Sequence, residues 1–399
     1  MKLSFTKSWT VILTLLALTF SAIGVTPAFA AGIVVNSLLA TTAVDSNCTL
    51  REAIQNANDN AATNAECAAG SGADTITFSV SGTIKLGTQL PDITDAAGLT
   101  MDGTGQTLTI SGGNVTRVLL VQAGASLTLK HLTIANGNYG YAGGGIYNLG
   151  ALTITDSVFS GNSAANKGGG IYNIGTLNIT NSAFSANSVT GGSISGGGIY
   201  NGWTAAITNS TFSGNSATGG FGGGVYNSGT LTITNSTFSG NSATTGGGAY
   251  SDNSLNITNS AFSGNSATTG GGIYQASGLV MLRNTLVANS ASGGNCSGTI
   301  IDGGGNLTWG DTTCPGINAD PMLSALGNHG GPTQTFALLT GSNAIDAGND
   351  AVCAAAVGAP DYGAGGLDQR GVIRPVGAHC DIGSYEGVLV QIYLPLILR

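Results

Sequence analysis

Between residues 143 and 290 the chain offers very few side chains that could carry out chemistry. Asp156 and Asp252 are the only acids there, and Lys167 and Arg283 the only basic residues. Glycoside hydrolysis needs two placed carboxylates. A lyase needs a base and something to neutralise the uronate, usually calcium-binding carboxylates or cationic side chains. Asp156 stands where later units carry Asn181, Asn209, Asn235 and Asn259, so it reads as a variant of a repeated asparagine. Asp252 falls in a different unit, and no carboxylate cluster is expected on this stretch. His131, His329 and His379 are isolated in sequence, and no G-x-S-x-G context accompanies them. Calcium repeats of the G-G-x-G-x-D kind are missing as well. No catalytic residue, metal or cofactor is therefore expected. Acids do gather further on, at Asp346, Asp350, Asp361, Asp368, Asp381 and Glu386, alongside Arg370 and Arg374. The arginines match the acids, which favours an ion-pair network over a calcium or sugar site.

What the section does offer is contact surface. Tyr147, Tyr172, Tyr200, Tyr226, Tyr250 and Tyr274 recur once per unit, each beside an apolar residue. Outward, they would make a stacking platform suited to sugar rings; inward, they would be core. Alternation alone does not decide between the two. The other candidates are insertions. Every difference in unit length falls between the GNSA-like run and the next GGG, as in Ala164–Lys167, Val189–Ser195 and Ala217–Phe221. Insertions confined to one corner project from one edge of a repeat stack, where such proteins often bind. Val189, Ser193, Ile194 and Phe221 are the candidate contacts on that edge.

The elements that must position these residues follow from the repeat. GGG triplets begin at Gly143, Gly168, Gly196, Gly222, Gly246 and Gly270, spaced by 25, 28, 26, 24 and 24 residues. Each unit holds three short runs, GIYN-like, LTIT-like and STFSGN-like, separated by Gly and Asn. They are too short and too β-branched for helices, and L-T-I-T alternates with period two. Three strands per turn of about 24 residues predict an all-β right-handed parallel β-helix, a solenoid of stacked coils. Stacking at about 4.8 Å aligns Phe159, Phe184, Phe212, Phe238, Phe262 and Leu286 in an inward column. Leu152, Leu177, Leu231 and Leu255, with Ile154, Ile179, Ile233 and Ile257, supply an aliphatic wall. Asn162, Asn187, Asn215, Asn241, Asn265 and Asn289 are expected to form a ladder at one corner. Each buried Phe contributes about 1.5–3 kcal/mol, which ranks the stack above any polar ladder.

Both ends differ from the repeats. Residues 1–30 carry Lys2 and Lys7, an apolar run and the small-residue site Ala28-Phe29-Ala30, the anatomy of a secretory signal peptide. Its removal from 399 residues leaves 369, with 9 basic and 19 acidic side chains and a net charge of −10. So acidic a chain is a poor partner for nucleic acid or anionic lipid. The apolar tail 388–399 is too short to span a membrane, so no transmembrane helix is expected in the mature chain. In an exported protein six cysteines read as disulfides. Fifteen pairings are formally open, but the sequence-local pairs Cys48/Cys67, Cys296/Cys314 and Cys353/Cys380 need least rearrangement.

Three segments resemble known families of bacterial exported proteins. GGGIYN with FxxN, as at Phe159/Asn162, Phe212/Asn215, Phe238/Asn241 and Phe262/Asn265, resembles polymorphic outer membrane protein repeats. That resemblance implies a β-helical, adhesin-like surface passenger, although no translocator barrel follows here. Cys48-Thr-Leu-Arg-Glu-Ala-Ile54 resembles the CSLREA domain, with Thr49 in place of Ser, and would cap the first coil. DPMLSALGNHGGPTQTFALLTGSNAIDAG, then DQRGVIRP and DIGSYE, resembles the choice-of-anchor Q domain of surface proteins. The tail is similar to an xYLPLxxR sorting or retention signal. The expected organisation is a signal peptide (1–30), an N-terminal cap (31–74), a β-helix (75–297, regular over 143–290), a small disulfide-bearing C-terminal domain (298–387) and the tail (388–399). The expected role is non-catalytic, adhesin-like contact with a polysaccharide or cell-surface glycan. A carbohydrate-active enzyme with its site outside the uniform repeats is the alternative, and a structural spacer a second. Oligomeric state is not legible in the sequence.

Overall fold

The computed structural model describes residues 32–192 and 194–387; the signal-peptide and tail segments lie outside them. The short β-branched runs pair only in parallel with their counterparts one coil away, and the result is an all-β parallel solenoid. Two sheets of eleven strands carry the LTIT-like and the Phe-bearing runs. The Tyr-bearing sheet has eight strands. A fourth sheet of five strands was not expected. It is built from Asn138–Tyr139, Ser163–Ala164, Ser188–Val189, Ser216–Phe221 and Ser242–Thr245, the start of the insertion corner. The GGG triplet turns the chain from this sheet into the Tyr sheet. Its first glycine takes a positive φ in every unit, for example 66° at Gly222. Its second lies so close to the next coil that a Cβ on Gly197 would sit 2.5 Å from the Gly223 carbonyl oxygen.

Inside, Phe159, Phe184, Phe212, Phe238 and Phe262 are fully buried and stacked, with centroids 4.4–4.7 Å apart and planes within 7°. The column then continues through Val287, not Leu286. Phe262 pairs with Val287, and Leu286 falls beside Ala261 on the outer face. Leu286 is buried there all the same, packed with Ala344 and Ile382 of the C-terminal segment. An outward position covered by another segment looks inward to a hydrophobicity pattern. The same one-residue offset removes Asn289 from the asparagine ladder: it is exposed, with φ 52°. Ser290 takes the ladder place and donates its amide to Asn295 Oδ1.

Within the ladder each Asn Nδ2 donates to Oδ1 of the next at 2.9 Å, from Asn162 through Asn187, Asn215 and Asn241 to Asn265. A second ladder, Asn148–Asn173–Asn201–Asn227, lines the opposite corner at 2.7–2.9 Å. Asp156, Asn181, Asn209, Asn235, Asn259 and Asn284 occupy a third corner, all in the left-handed region with φ of 44–52°. Asn and Asp tolerate this conformation best among side-chain-bearing residues, which explains the substitution of Asp156 into the series.

At the N-terminal end, helix α1 (Leu50–Asp59) covers the first coil. Thr49 accepts the Glu52 amide, and Glu52 Oε2 accepts the Thr49 amide at 2.9 Å, a reciprocal capping box. Leu50 and Ile54 point into the core, fully buried. Arg51 ties the helix to the coils through the carbonyls of Ala40 and Gln89, each at 2.9 Å. At the other end, strands Ile300–Asp302, Leu307–Trp309 and Ile317–Asn318 extend the solenoid past residue 297. Residues 319–387 then fold back along the outside of the Phe sheet instead of closing its end. Thr237 Oγ1 meets Gln369 Oε1 at 2.6 Å and the hydroxyls of Thr335 and Ser384. Asn235 Nδ2 donates to the Ala364 carbonyl, and Thr258 Oγ1 to that of Tyr362. This strap contains helix α2 (Asp350–Ala354) and the Cys353–Cys380 bridge. Cys48–Cys67 staples the N-terminal end of the solenoid and Cys296–Cys314 the C-terminal end.

Candidate ligand-binding face

The Tyr ladder faces outward. Its partners Ile146, Ile171, Ile199, Val225, Ala249 and Ile273 are fully buried in the main core, so alternation sends the tyrosines to the other side of the sheet. There Tyr147, Tyr172, Tyr200, Tyr226 and Tyr250 form a cluster of their own with Ala142 and Phe221. Successive centroids lie 4.7–5.2 Å apart, and from Tyr172 to Tyr274 the planes stay within 28°. From Tyr172 to Tyr274 each ring thus covers the facing side of its neighbour. Tyr172, Tyr200 and Tyr226 are buried, while Tyr147, Tyr250 and Tyr274 are half-buried. Burial first, then the neighbouring tyrosines, pushes Tyr172 up to about 12. Burial also raises Tyr226, helped by the hydrogen bond its hydroxyl donates to Asp252 Oδ2 at 2.7 Å. Cations flank the ladder: Lys167 Nζ lies 4.9 Å from the Tyr200 centroid, and the Arg117 guanidinium 3.7 Å from that of Tyr139. Arg117 is buried, bonded to the carbonyls of Gly143 and Ala142, and desolvation holds its pKa below the usual value.

The insertion edge borders this ladder, and its candidates fare differently. Val189 pairs with Ala164 and Ala217 in the corner sheet and is fully buried, out of a ligand's reach. Ser193 lies outside the described residues. Ile194 is exposed, and Phe221 is half-buried with its ring 4.9 Å from Tyr250. Two tyrosines not singled out from the sequence, Tyr139 and Tyr141, are exposed on the same edge. They precede the first GGG and so escaped the repeat alignment.

On the other side of the ladder stands Trp203, 64% exposed and also missed. Register places it between Gly175 and Gly229 of the adjacent coils. A tryptophan where both flanking units carry glycine is the signal that could have found it. With Leu149, Ile174 and Thr176 it lines an open groove of about 360 Å³.

His131 is not isolated in space. The coil offsets bring it between Asp102 and Asp156, with Nδ1 3.8 Å from Asp102 and Nε2 3.7 Å from Asp156. Thr104 Oγ1 lies 2.8 Å from Nδ1. Burial opposes ionisation of Asp102, but hydrogen bonds from Thr104 outweigh it and hold the carboxyl below its ordinary value. A small cavity of about 110 Å³ next to Asp156 is lined by Asn181, Ala183 and, from the strap, Pro332 and Thr333. The two ring nitrogens face different carboxylates, and among the described residues no group of three His, Cys, Asp or Glu side chains could hold a metal ion.

The C-terminal acids and arginines do form ion pairs. Arg370 takes Asp368 with two nitrogens at 2.8 and 2.7 Å. Arg374, fully buried, contacts Glu386 at 3.0 Å and the carbonyls of Asp381 and Gly383 at 2.7 Å. Burial lifts Asp381 to about 6. These groups order the strap. Among the described residues no helix is long and apolar enough to cross a membrane. The chain matches no family model, no curated protein and no solved structure, so the resemblances read from its sequence rest on their motifs alone.

Proposed function

We propose that this is an exported surface or matrix protein whose solenoid contacts polysaccharide without cutting it. The observation that carries the reading is the aromatic side of the solenoid. Six tyrosines face outward over six coils, bordered by exposed Tyr139 and Tyr141 on one side and Trp203 on the other. Such side chains give large, rigid, amphipathic contact area. Within the six coils of the ladder the carboxylate on that side, Asp252, is engaged by Tyr226. Asp92, which aligns with Leu120 and so with Tyr147 further along the same sheet, is held by Gln89 and Gln122. The two do not form the placed pair that glycoside hydrolysis needs. The test uses the mature chain, residues 31–399, with neutral and acidic polysaccharides, following binding and new chain ends in the same samples. Binding without new ends supports the reading; silence in both favours a structural spacer.

One observation favours the enzymatic alternative, the His131 cluster beside its small cavity. Two carboxylates on either side of a histidine could share general acid and base roles. Release of chain ends that disappears in His131→Ala would establish that reading in place of the first.

A further inference from the structure

We infer that the Trp203 groove is a binding site for a neutral, extended polysaccharide laid along the solenoid axis. The inference rests on the glycan-contact reading and names its ligand class and place. In the Tyr ladder the ring faces are spent on one another, so the ladder presents mainly hydroxyls and ring edges. Trp203 is different. The coils on both sides carry glycine at its position, Gly175 and Gly229, so no side chain stacks on the indole from the equivalent place. With 64% of its surface exposed it keeps apolar area in water that most solvent-facing positions of this repeat avoid by using Thr, Ser or Asn.

The surroundings define the ligand. The groove takes residues from four successive coils: Ser126, Leu149, Ile174 and Thr176, with Trp203 at one end and glycine backbone between. Three coil spacings give an axial length of roughly 14 Å, the size of a short oligosaccharide segment. Exposed apolar Ile174, with Leu149 behind it, continues the surface of Trp203, while Ser126 and Thr176 offer hydroxyls at its margin. Apolar area with a few polar groups suits the C–H faces and edge hydroxyls of pyranose rings. No charged side chain lines the groove. Uronates or sulfated sugars would call for Arg or Lys there, and the mature chain's net charge of −10 repels polyanions at long range.

The experiment compares the mature chain with Trp203→Gly, which installs the residue that adjacent coils already carry and should leave the fold intact. Affinity for a soluble neutral β-glucan and for polygalacturonate is measured at low and high salt, with thermal melting as the fold control. The expected result is salt-insensitive binding of the neutral polymer, weakened roughly tenfold or more in Trp203→Gly at unchanged melting temperature. Tryptophan emission should change on binding in the parent chain and not in Trp203→Gly, whose remaining tryptophan within residues 31–399 is Trp309. Neutral-glycan binding that Trp203→Gly leaves intact overturns the groove while sparing the broader reading. Preference for polygalacturonate that fades with salt overturns the ligand class alone. Absence of binding to any polysaccharide overturns both.

Discussion

Asn215→Ala tests whether the asparagine ladder carries weight comparable to the phenylalanine stack. Asn215 is fully buried and makes four side-chain hydrogen bonds. Its Oδ1 accepts the Asn187 amide at 3.0 Å and Asn187 Nδ2 at 2.9 Å. Its Nδ2 donates to the Phe184 carbonyl and to Asn241 Oδ1, both at 2.9 Å. After truncation Asn241 Oδ1 keeps the Asn215 amide, and Asn187 Nδ2 keeps the Phe159 carbonyl. The Asn187 amide loses its partner inside the solenoid. An orphaned buried amide costs about 1–3 kcal/mol, and each of the other three bonds about 0.5–1.5. The expected loss is therefore roughly 2.5–7.5 kcal/mol, within reach of a whole domain's stability. Urea unfolding of residues 31–399 followed by circular dichroism, disulfides intact, supplies the number, and hydrogen exchange at the Asn187 amide supplies the location. Asn289→Gly is the control. Asn289 is exposed and outside the ladder, and glycine keeps the positive φ that Gly264 holds at the matching place one coil before, so a loss below about 0.5 kcal/mol is expected. A loss below about 1 kcal/mol at Asn215, with Asn187 still protected, would refute the argument. Equal losses at Asn215 and Asn289 would restore the register read from sequence.

Three further outcomes are expected. Phe212→Ala removes a fully buried ring held between Phe184 and Phe238, both at 4.7 Å, and should cost about 3–5 kcal/mol, because the paired backbones limit collapse; a loss below about 1 kcal/mol in urea unfolding would contradict the packing. Phenolate absorbance should show a step delayed beyond the usual tyrosine range near 10, with Tyr172 at about 12, and Tyr172→Phe should reduce that step. Since the folded chain holds those protons longer, stability should be level below pH about 10 and fall above it; a single step at the ordinary pH would show the ladder to be solvated. Asp381, raised to about 6 by burial, makes the folded state the better proton binder from pH about 4 to 6. Stability should fall by about 1–3 kcal/mol as pH rises through that window, and Asp381→Asn should flatten the slope in melting experiments; an unchanged slope would place the titrating group elsewhere.

The solenoid was legible because its signals are local and repeated. Period, alternation and glycine triplets each act within one coil, and stacking multiplies them, so the inward Leu, Ile and Phe columns hold through Phe262. Legibility ends where residues distant in sequence share a surface. Leu286 is apolar because the strap's Ala344 and Ile382 cover it, and nothing near position 286 announces a segment arriving some 60–100 residues later. His131 sits 29 residues after Asp102 and 25 before Asp156. Those spacings mean contact only once the coil length is known to vary and the register is fixed. Trp203 failed to stand out for a different reason. Repeat reasoning looks for what recurs, whereas a binding residue on a solenoid is where the repeat is broken without cost to the core. The fold is written in the consensus, and the proposed glycan contact lies in the exceptions, so the exposed departures Tyr139, Tyr141 and Trp203 are where that proposal should be tested before the regular ladder itself.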